Sequence, residues 1–276
     1  TLFEARDELG GQITIAAKAP QRDQIAGITR WYQLELARLK VDLRLGTRAD
    51  ETTIRDLRGD VVILAVGGRP FMDQFASWGY DEDPAKSLIV SSWDVLDGRV
   101  APGSNVLIYD SICEFSGVSV ADYLADKGAR VEIVTDDIKP GAAVGGTTFP
   151  TYYRSLYAKE VVMTSDMVLH EVYREGEGLV AVLENEYTGT LEERVVDQIV
   201  VENGVRPDEA LYYAFKDGSL NKGQIDVESL YAIKPQPCLS QATEGNDYLL
   251  FRLGDCNAPR NTHAAIYDAL RLCKDF

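Results

Sequence analysis

The chain has 276 residues, 28 Lys and Arg against 44 Asp and Glu for a formal charge of −16, and a hydrophobic share of 45%. This is the composition of a folded chain and not of a disordered one, and at roughly 100–200 residues per domain it suggests one large domain or two of medium size. The negative balance disfavours nucleic acid and anionic membrane surfaces as partners, because both recruit a basic face, and no apolar run approaches the roughly 18 residues of a membrane span.

Residues 1–4 read as the end of a strand, and Asp7 to Gly11 as a turn. Between Gln21 and Lys40 the apolar residues Ile25, Ile28, Tyr32, Leu36 and Leu39 recur in steps of three and four, which predicts a helix with one apolar face. Val41 to Leu45 alternates like a strand, and Thr53 to Leu57 reads as a short helical turn. Asp60 to Val66 is continuously apolar, as in a strand buried on both faces of a parallel sheet, and breaks at Gly67-Gly68-Arg69-Pro70. After the turn Pro102-Gly103-Ser104 comes a strand from Asn105 to Tyr109, a helix from about Ser116 to Lys127 stopped by Gly128, and a strand from Arg130 to Thr135, together one β-α-β unit. Leu179 to Leu183 and Arg194 to Val201, flanking Thr188-Gly189, read as antiparallel strands. Tyr248 to Leu253 reads as a strand, and a helix begins near Asn261-Thr262.

The four cysteines, Cys113, Cys238, Cys256 and Cys273, are far apart and form no C-x-x-C, which fits neither a zinc site nor a redox dithiol. An even count leaves room for two disulfides, but nothing else points to secretion. Reduced, mostly buried thiols and a cytoplasmic location are expected. The two histidines, His170 and His263, are too few for a histidine-rich metal site. The sequence also repeats itself: Asp60 to Pro70 aligns with Asp197 to Pro207, each an apolar strand followed by G-x-R-P, 137 positions apart. Two copies of one fold unit account for this. The second copy opens with a strand, loop and helix that the first lacks, so a missing segment of about 30 residues, the size of such a unit, is expected upstream.

Two acids have positions of interest. Glu4 follows Leu2-Phe3 at the end of a strand, where dinucleotide folds place an acid against the ribose hydroxyls; it reads equally as an exposed strand-end acid. Gly254-Asp255 follows a strand and precedes a helix, where backbone N–H groups meet phosphate or ribityl oxygens; Asp255 accepts from a sugar hydroxyl or serves as a turn residue.

Phe3-Glu4-Ala5 with Gly10-Gly11-Gln12, the strand into Ala65-Val66-Gly67-Gly68-Arg69-Pro70, and Leu253-Gly254-Asp255 before Ala258-Pro259-Arg260 and Ala265-Ile266-Tyr267-Asp268 form an ordered set. It resembles flavoproteins with two dinucleotide-binding domains, and more narrowly the C-terminal part of the trimethylamine dehydrogenase and 2,4-dienoyl-CoA reductase (NADH:flavin oxidoreductase) family. The resemblance implies an α/β chain of two Rossmann-like, glutathione-reductase-like units, the second inserted in the first and the first truncated at its amino end. The expected domains are residues 1–100 with 218–276, and residues 101–217. It also implies that Glu4, Gly10, Gly11, Gln12, Val66, Gly67, Gly254 and Asp255 line a pocket for ADP or FAD. FMN and an iron–sulfur cluster are implied in the missing N-terminal part, electron-transfer flavoprotein or a similar acceptor as partner, and a homo-oligomer for the full-length protein.

The second unit chooses among subgroups. A working NAD(P)H turn needs G-x-G-x-x-G directly after the strand, and those three places hold Asp110, Ile112 and Phe115. Asp110 and Glu114 also bring negative charge to where a pyrophosphate would sit. The unit therefore reads as a dinucleotide fold without its dinucleotide, like the branch that oxidises small N-methylated amines and passes electrons to a protein. An NAD(P)H-dependent ene-reductase using FAD is the alternative, and a non-catalytic nucleotide-binding or docking module is the third. No catalytic acid, base or nucleophile is visible. Because the pyrophosphate cradle of the first unit would lie upstream, the 276 residues alone are expected to bind nucleotide weakly and to turn over no amine.

Overall fold

The computed structural model describes residues 1–232, 234–243 and 247–275. The fold is mixed α/β with parallel sheet, and the chain divides into two compact units: Thr1–Leu9, Leu36–Arg69 and Val205–Phe276 form one, Gly10–Glu35 and Pro70–Gly204 the other.

The second unit is built on five parallel strands in the order Ile89–Ser91, Gln198–Glu202, Asn105–Asp110, Arg130–Val134, Val162–Thr164. Successive side chains of a strand point to opposite faces, and both faces are covered. Val106 and Ile108 pack with Val118, Ala121, Leu124 and Leu156 from helices Phe115–Asp126 and Phe149–Ala158. Leu107 and Tyr109 pack with Leu169, Leu179, Ala181 and Leu183 from an antiparallel sheet of Met167–Glu175, Gly178–Asn185 and Leu191–Val196. The expected strand from Arg194 to Val201 is in fact two: Leu191–Val196 closes the antiparallel sheet, and Gln198–Glu202 enters the parallel one. The joint is Asp197, whose N–H donates to the Asn105 carbonyl at 2.9 Å.

In the first unit Leu2–Phe3 lies parallel to Leu43–Arg44, and Val61–Leu64 lies parallel to Leu249–Arg252, as two separate two-stranded sheets. Val61–Leu64 is not buried on both faces as its composition suggests: Leu64 is buried but Ile63 is 38% exposed, because a pair of strands has too little cover. Its core holds Leu64, Phe215, Tyr248, Leu250 and Cys256, with Phe251, Leu253 and Leu272 as a second cluster.

The unit boundaries also differ from those drawn on the sequence. Residues 70–100 go with the second unit because Ile89–Ser91 is an edge of its sheet and Val95 and Leu96 lie in its core. Residues 10–35 join it through Ile15 and Ala19. Residues 205–217 join the first unit, where Phe215 is fully buried.

The two copies of the repeat meet. Gly68–Pro70 pairs with Val205–Pro207. Asp208 N–H donates to Gly67 C=O at 3.1 Å and Phe71 N–H to Gly204 C=O at 2.9 Å, an antiparallel pattern that sets Arg69 opposite Arg206. Gly67 and Gly204, equivalent in the repeat, both have positive φ, 72° and 80°. Gly68 is required by approach: a Cβ there would lie 2.3 Å from the Arg206 carbonyl oxygen.

Candidate functional site

Four of the expected site residues gather at one sheet edge of the first unit. Val61–Leu64 and Leu249–Arg252 run parallel, so their carboxyl ends, followed by Val66-Gly67 and Gly254-Asp255, share that edge, the side on which open α/β sheets bind ligands. Leu253 N–H donates to the Leu64 carbonyl at 2.9 Å and continues the pairing one step beyond the strands. Gly254 turns the chain with φ 64°, and its carbonyl accepts from Asn257 and Ala258 N–H at 2.9 and 3.0 Å. The half-buried Asp255 accepts from Arg260 N–H at 3.2 Å. The following helix, Thr262–Leu272, is capped by Asn261, whose side chain accepts from Ala264 N–H.

Cys256 ties this edge together, a role its sequence position does not announce. Its buried thiol lies 3.0 Å from the Leu64 carbonyl and 3.1 Å from that of Leu253, beside the backbone of Val66 and Gly67. Burial pushes the thiol above its ordinary value. Of the four cysteines, all free, Cys113 and Cys256 are buried while Cys238 and Cys273 are exposed.

Glu4 belongs to the other sheet of the unit. It is half-buried, its N–H donates to the Arg44 carbonyl at 3.0 Å, and one carboxylate oxygen accepts from Arg6 N–H at 2.9 Å. Gly10, Gly11 and Gln12 lie in the second compact unit, at the start of the helix Gln12–Ala16. Gly10 packs against Thr29, where a Cβ would come 2.7 Å from a buried hydroxyl that has no hydrogen-bond partner among the described residues. A cavity of about 270 Å³ in the first unit, lined by Asn221, Gln224, Asp226 and Leu239 among others, contains none of the expected residues. Among the described residues no group of three His, Cys, Asp or Glu is placed to hold a metal ion, and no helix is long and apolar enough to cross a membrane.

The turn after Asn105–Asp110 holds a buried pair of acids. Asp110 and Glu202 are direct partners in the parallel register and lie on the helix face of the sheet. Burial pushes Asp110 up to about 6 and Glu202 up to about 7, and the Asp110 charge adds to the rise in Glu202. Ser92 Oγ donates to Glu202 Oε2. Glu114 is exposed at the start of helix Phe115–Asp126. Tyr152 is packing: it is buried with its hydroxyl 3.0 Å from Ser119 Oγ.

These features define a class, an α/β chain with glycine-bearing turns at the carboxyl ends of parallel strands. The chain is 78% identical over 278 residues to an N,N-dimethylglycine/sarcosine dehydrogenase of Chromohalobacter salexigens, covering 100% of this chain and 40% of that protein. It is 38% identical over 274 residues to a probable N-methylproline demethylase of Rhizobium meliloti, covering 99% and 39%. Histamine dehydrogenase from Rhizobium sp. 4-9 shares the fold with a TM-score of 0.74 at 16% identity, over all of this chain and 40% of that one. No protein-family model matches the chain. The chain belongs to the trimethylamine dehydrogenase and 2,4-dienoyl-CoA reductase (NADH:flavin oxidoreductase) family, and it spans about 40% of the length of these relatives, which are oxidoreductases.

Proposed function

We propose that this chain is the nucleotide-binding part of an iron–sulfur flavoprotein that oxidises small N-methylated amines and passes the electrons to a protein acceptor such as electron-transfer flavoprotein. The observation that carries the reading is the 78% identity, across the whole chain, to a dimethylglycine/sarcosine dehydrogenase. The two units are read as dinucleotide folds, the second inserted in the first. In this reading FMN and an iron–sulfur cluster belong to a part of the complete protein outside these 276 residues, and the complete protein is a cytoplasmic homo-oligomer.

In this account the first unit holds the adenosine part of ADP or FAD. Glu4 and Asp255 would accept from sugar hydroxyls, Gly67 and Gly254 would let the backbone approach, and Val66 would line the pocket. Gly10, Gly11 and Gln12, expected in the same pocket from the family resemblance, lie in the second unit. The residues fit such a ligand in part: half-buried carboxylates and left-handed glycines are present at strand ends. The bound group supplies electron-carrying or structural capacity, and these residues only bind and orient it.

The complete polypeptide should reduce an artificial acceptor with dimethylglycine or sarcosine and show no response to NADH. Failure with both amines would defeat the reading. The 276 residues alone should bind ADP and FAD more weakly than micromolar in calorimetry. A second reading, the NADH-dependent ene-reductase, draws on a half-chain similarity: 35% identity over 133 residues to an NADH oxidase of Thermoanaerobacter brockii. Reduction of the bound flavin by NADH would select it.

A further inference from the structure

Asp110 stands at the first glycine place of the expected phosphate-binding turn, and its carboxylate points inward. Oδ1 accepts N–H of Cys113 at 2.9 Å and of Ile112 at 3.2 Å. In a dinucleotide fold the N–H groups of this turn face the pyrophosphate. Oδ2 is buried, has no hydrogen-bond partner among the described residues, and lies against the first turn of the 12-residue helix Phe115–Asp126. A Cβ on Gly117 would lie 2.0 Å from Oδ2 and 2.3 Å from Cγ, so the carboxylate fills the space in front of that helix.

We propose that Asp110 is an internal anion that occupies the phosphate-binding turn of the second unit, so that a pyridine dinucleotide is excluded by a filled cradle and not only by missing glycines. The inference rests on reading this unit as a dinucleotide fold. The groups facing Asp110 strengthen the exclusion. Glu202 is its register partner, buried and held by Ser92. Glu114 and Asp136 add negative charge from the helix start and from the end of the neighbouring strand. The Ser111 hydroxyl is turned away, to Asn203 Oδ1 at 2.6 Å. An incoming phosphate would have to displace a carboxylate already bonded to the amides it needs, against three further acids.

Two variants of the 276-residue chain test this, Asp110→Gly and the isosteric Asp110→Asn. Inorganic pyrophosphate and NADH are the calorimetric probes, and amide exchange at Ile112 and Cys113 is the second readout. The unaltered chain should bind neither probe at millimolar concentration. Asp110→Gly should speed exchange of both amides about tenfold or more, as expected for a lost charge-assisted hydrogen bond, and should bind pyrophosphate measurably at concentrations where the unaltered chain does not. Asp110→Asn keeps the volume and an accepting oxygen, so it should keep both amides protected and bind no pyrophosphate. Unchanged exchange or absent pyrophosphate binding in Asp110→Gly overturns the proposal. So does pyrophosphate binding by Asp110→Asn, which would make charge and not occupancy the barrier; this arm decides alone if the glycine variant does not fold. A complete protein without amine oxidation would defeat the parent reading and leave these binding results standing.

Discussion

Adding one methyl group at Gly117 should be costly only while Asp110 is present. The new Cβ would lie 2.0 Å from Asp110 Oδ2, against the roughly 3.5 Å of an ordinary contact. Neither partner can yield, since Asp110 is fully buried and Gly117 is buried in the helix start. Overpacking of this kind costs about 1–3 kcal/mol, while alanine in a helix recovers up to ~1 kcal/mol over glycine. Gly117→Ala should therefore destabilise the chain by about 1–2 kcal/mol. In an Asp110→Ala background the obstruction is gone, and the same change should be neutral or stabilising by up to ~1 kcal/mol. Urea unfolding of the two single variants and the double variant gives the coupling, expected at about 2 kcal/mol. Equal effects of Gly117→Ala in both backgrounds would refute the packing argument.

The acid pair gives a pH dependence. Asp110 and Glu202 have folded values raised to about 6 and about 7, so the pair's contribution to stability is greatest below their ordinary values, falls as pH rises to about 7, and then levels. Glu202→Gln should remove much of that fall, on the order of 3 kcal/mol, and unfolding at acid and neutral pH reads it; an unchanged slope would place the titration elsewhere. Gly68→Ala should cost 2 kcal/mol or more, about the range of a severe clash, because its Cβ would meet the Arg206 carbonyl at 2.3 Å; wild-type-like thermal melting would contradict this. Thiol titration of the native chain should modify Cys238 and Cys273 quickly, and Cys113 and Cys256 only on unfolding; rapid modification of all four would show that the buried pair is accessible. In the complete protein, Glu4→Ala and Asp255→Ala should each weaken ADP binding about tenfold, the value of one charge-assisted hydrogen bond, and unchanged affinity would remove them from the pocket.

Periodic segments were the legible ones. The helix expected over 21–40 is found as Ala26–Arg38, shortened because Gln21 has φ 64° and Asp23–Ile25 is a 3-10 turn. The β-α-β segment from Asn105 to Val134 is found almost as read. Met167–Glu175 is not legible in the sequence because its alternation breaks near Glu171, where the register with Gly178–Asn185 shifts. Of the site, composition marks the strand ends before Val66-Gly67 and Gly254-Asp255, while their nearness at one edge is what the family resemblance implies. The roles of Cys256 and of the inward Asp110 follow from neither, since a motif fixes residue type and not the direction of a carboxylate or thiol.

The pairing of Gly68–Pro70 with Val205–Pro207 has the logic of an isologous dimer contact written into one polypeptide. Equivalent positions of the repeat, 137 residues apart, face each other across a local dyad at Arg69 and Arg206. Gly68 and Val205 are such equivalents, and they touch. A single change in either strand of this pair is thus felt by the segment that mirrors it in the repeat.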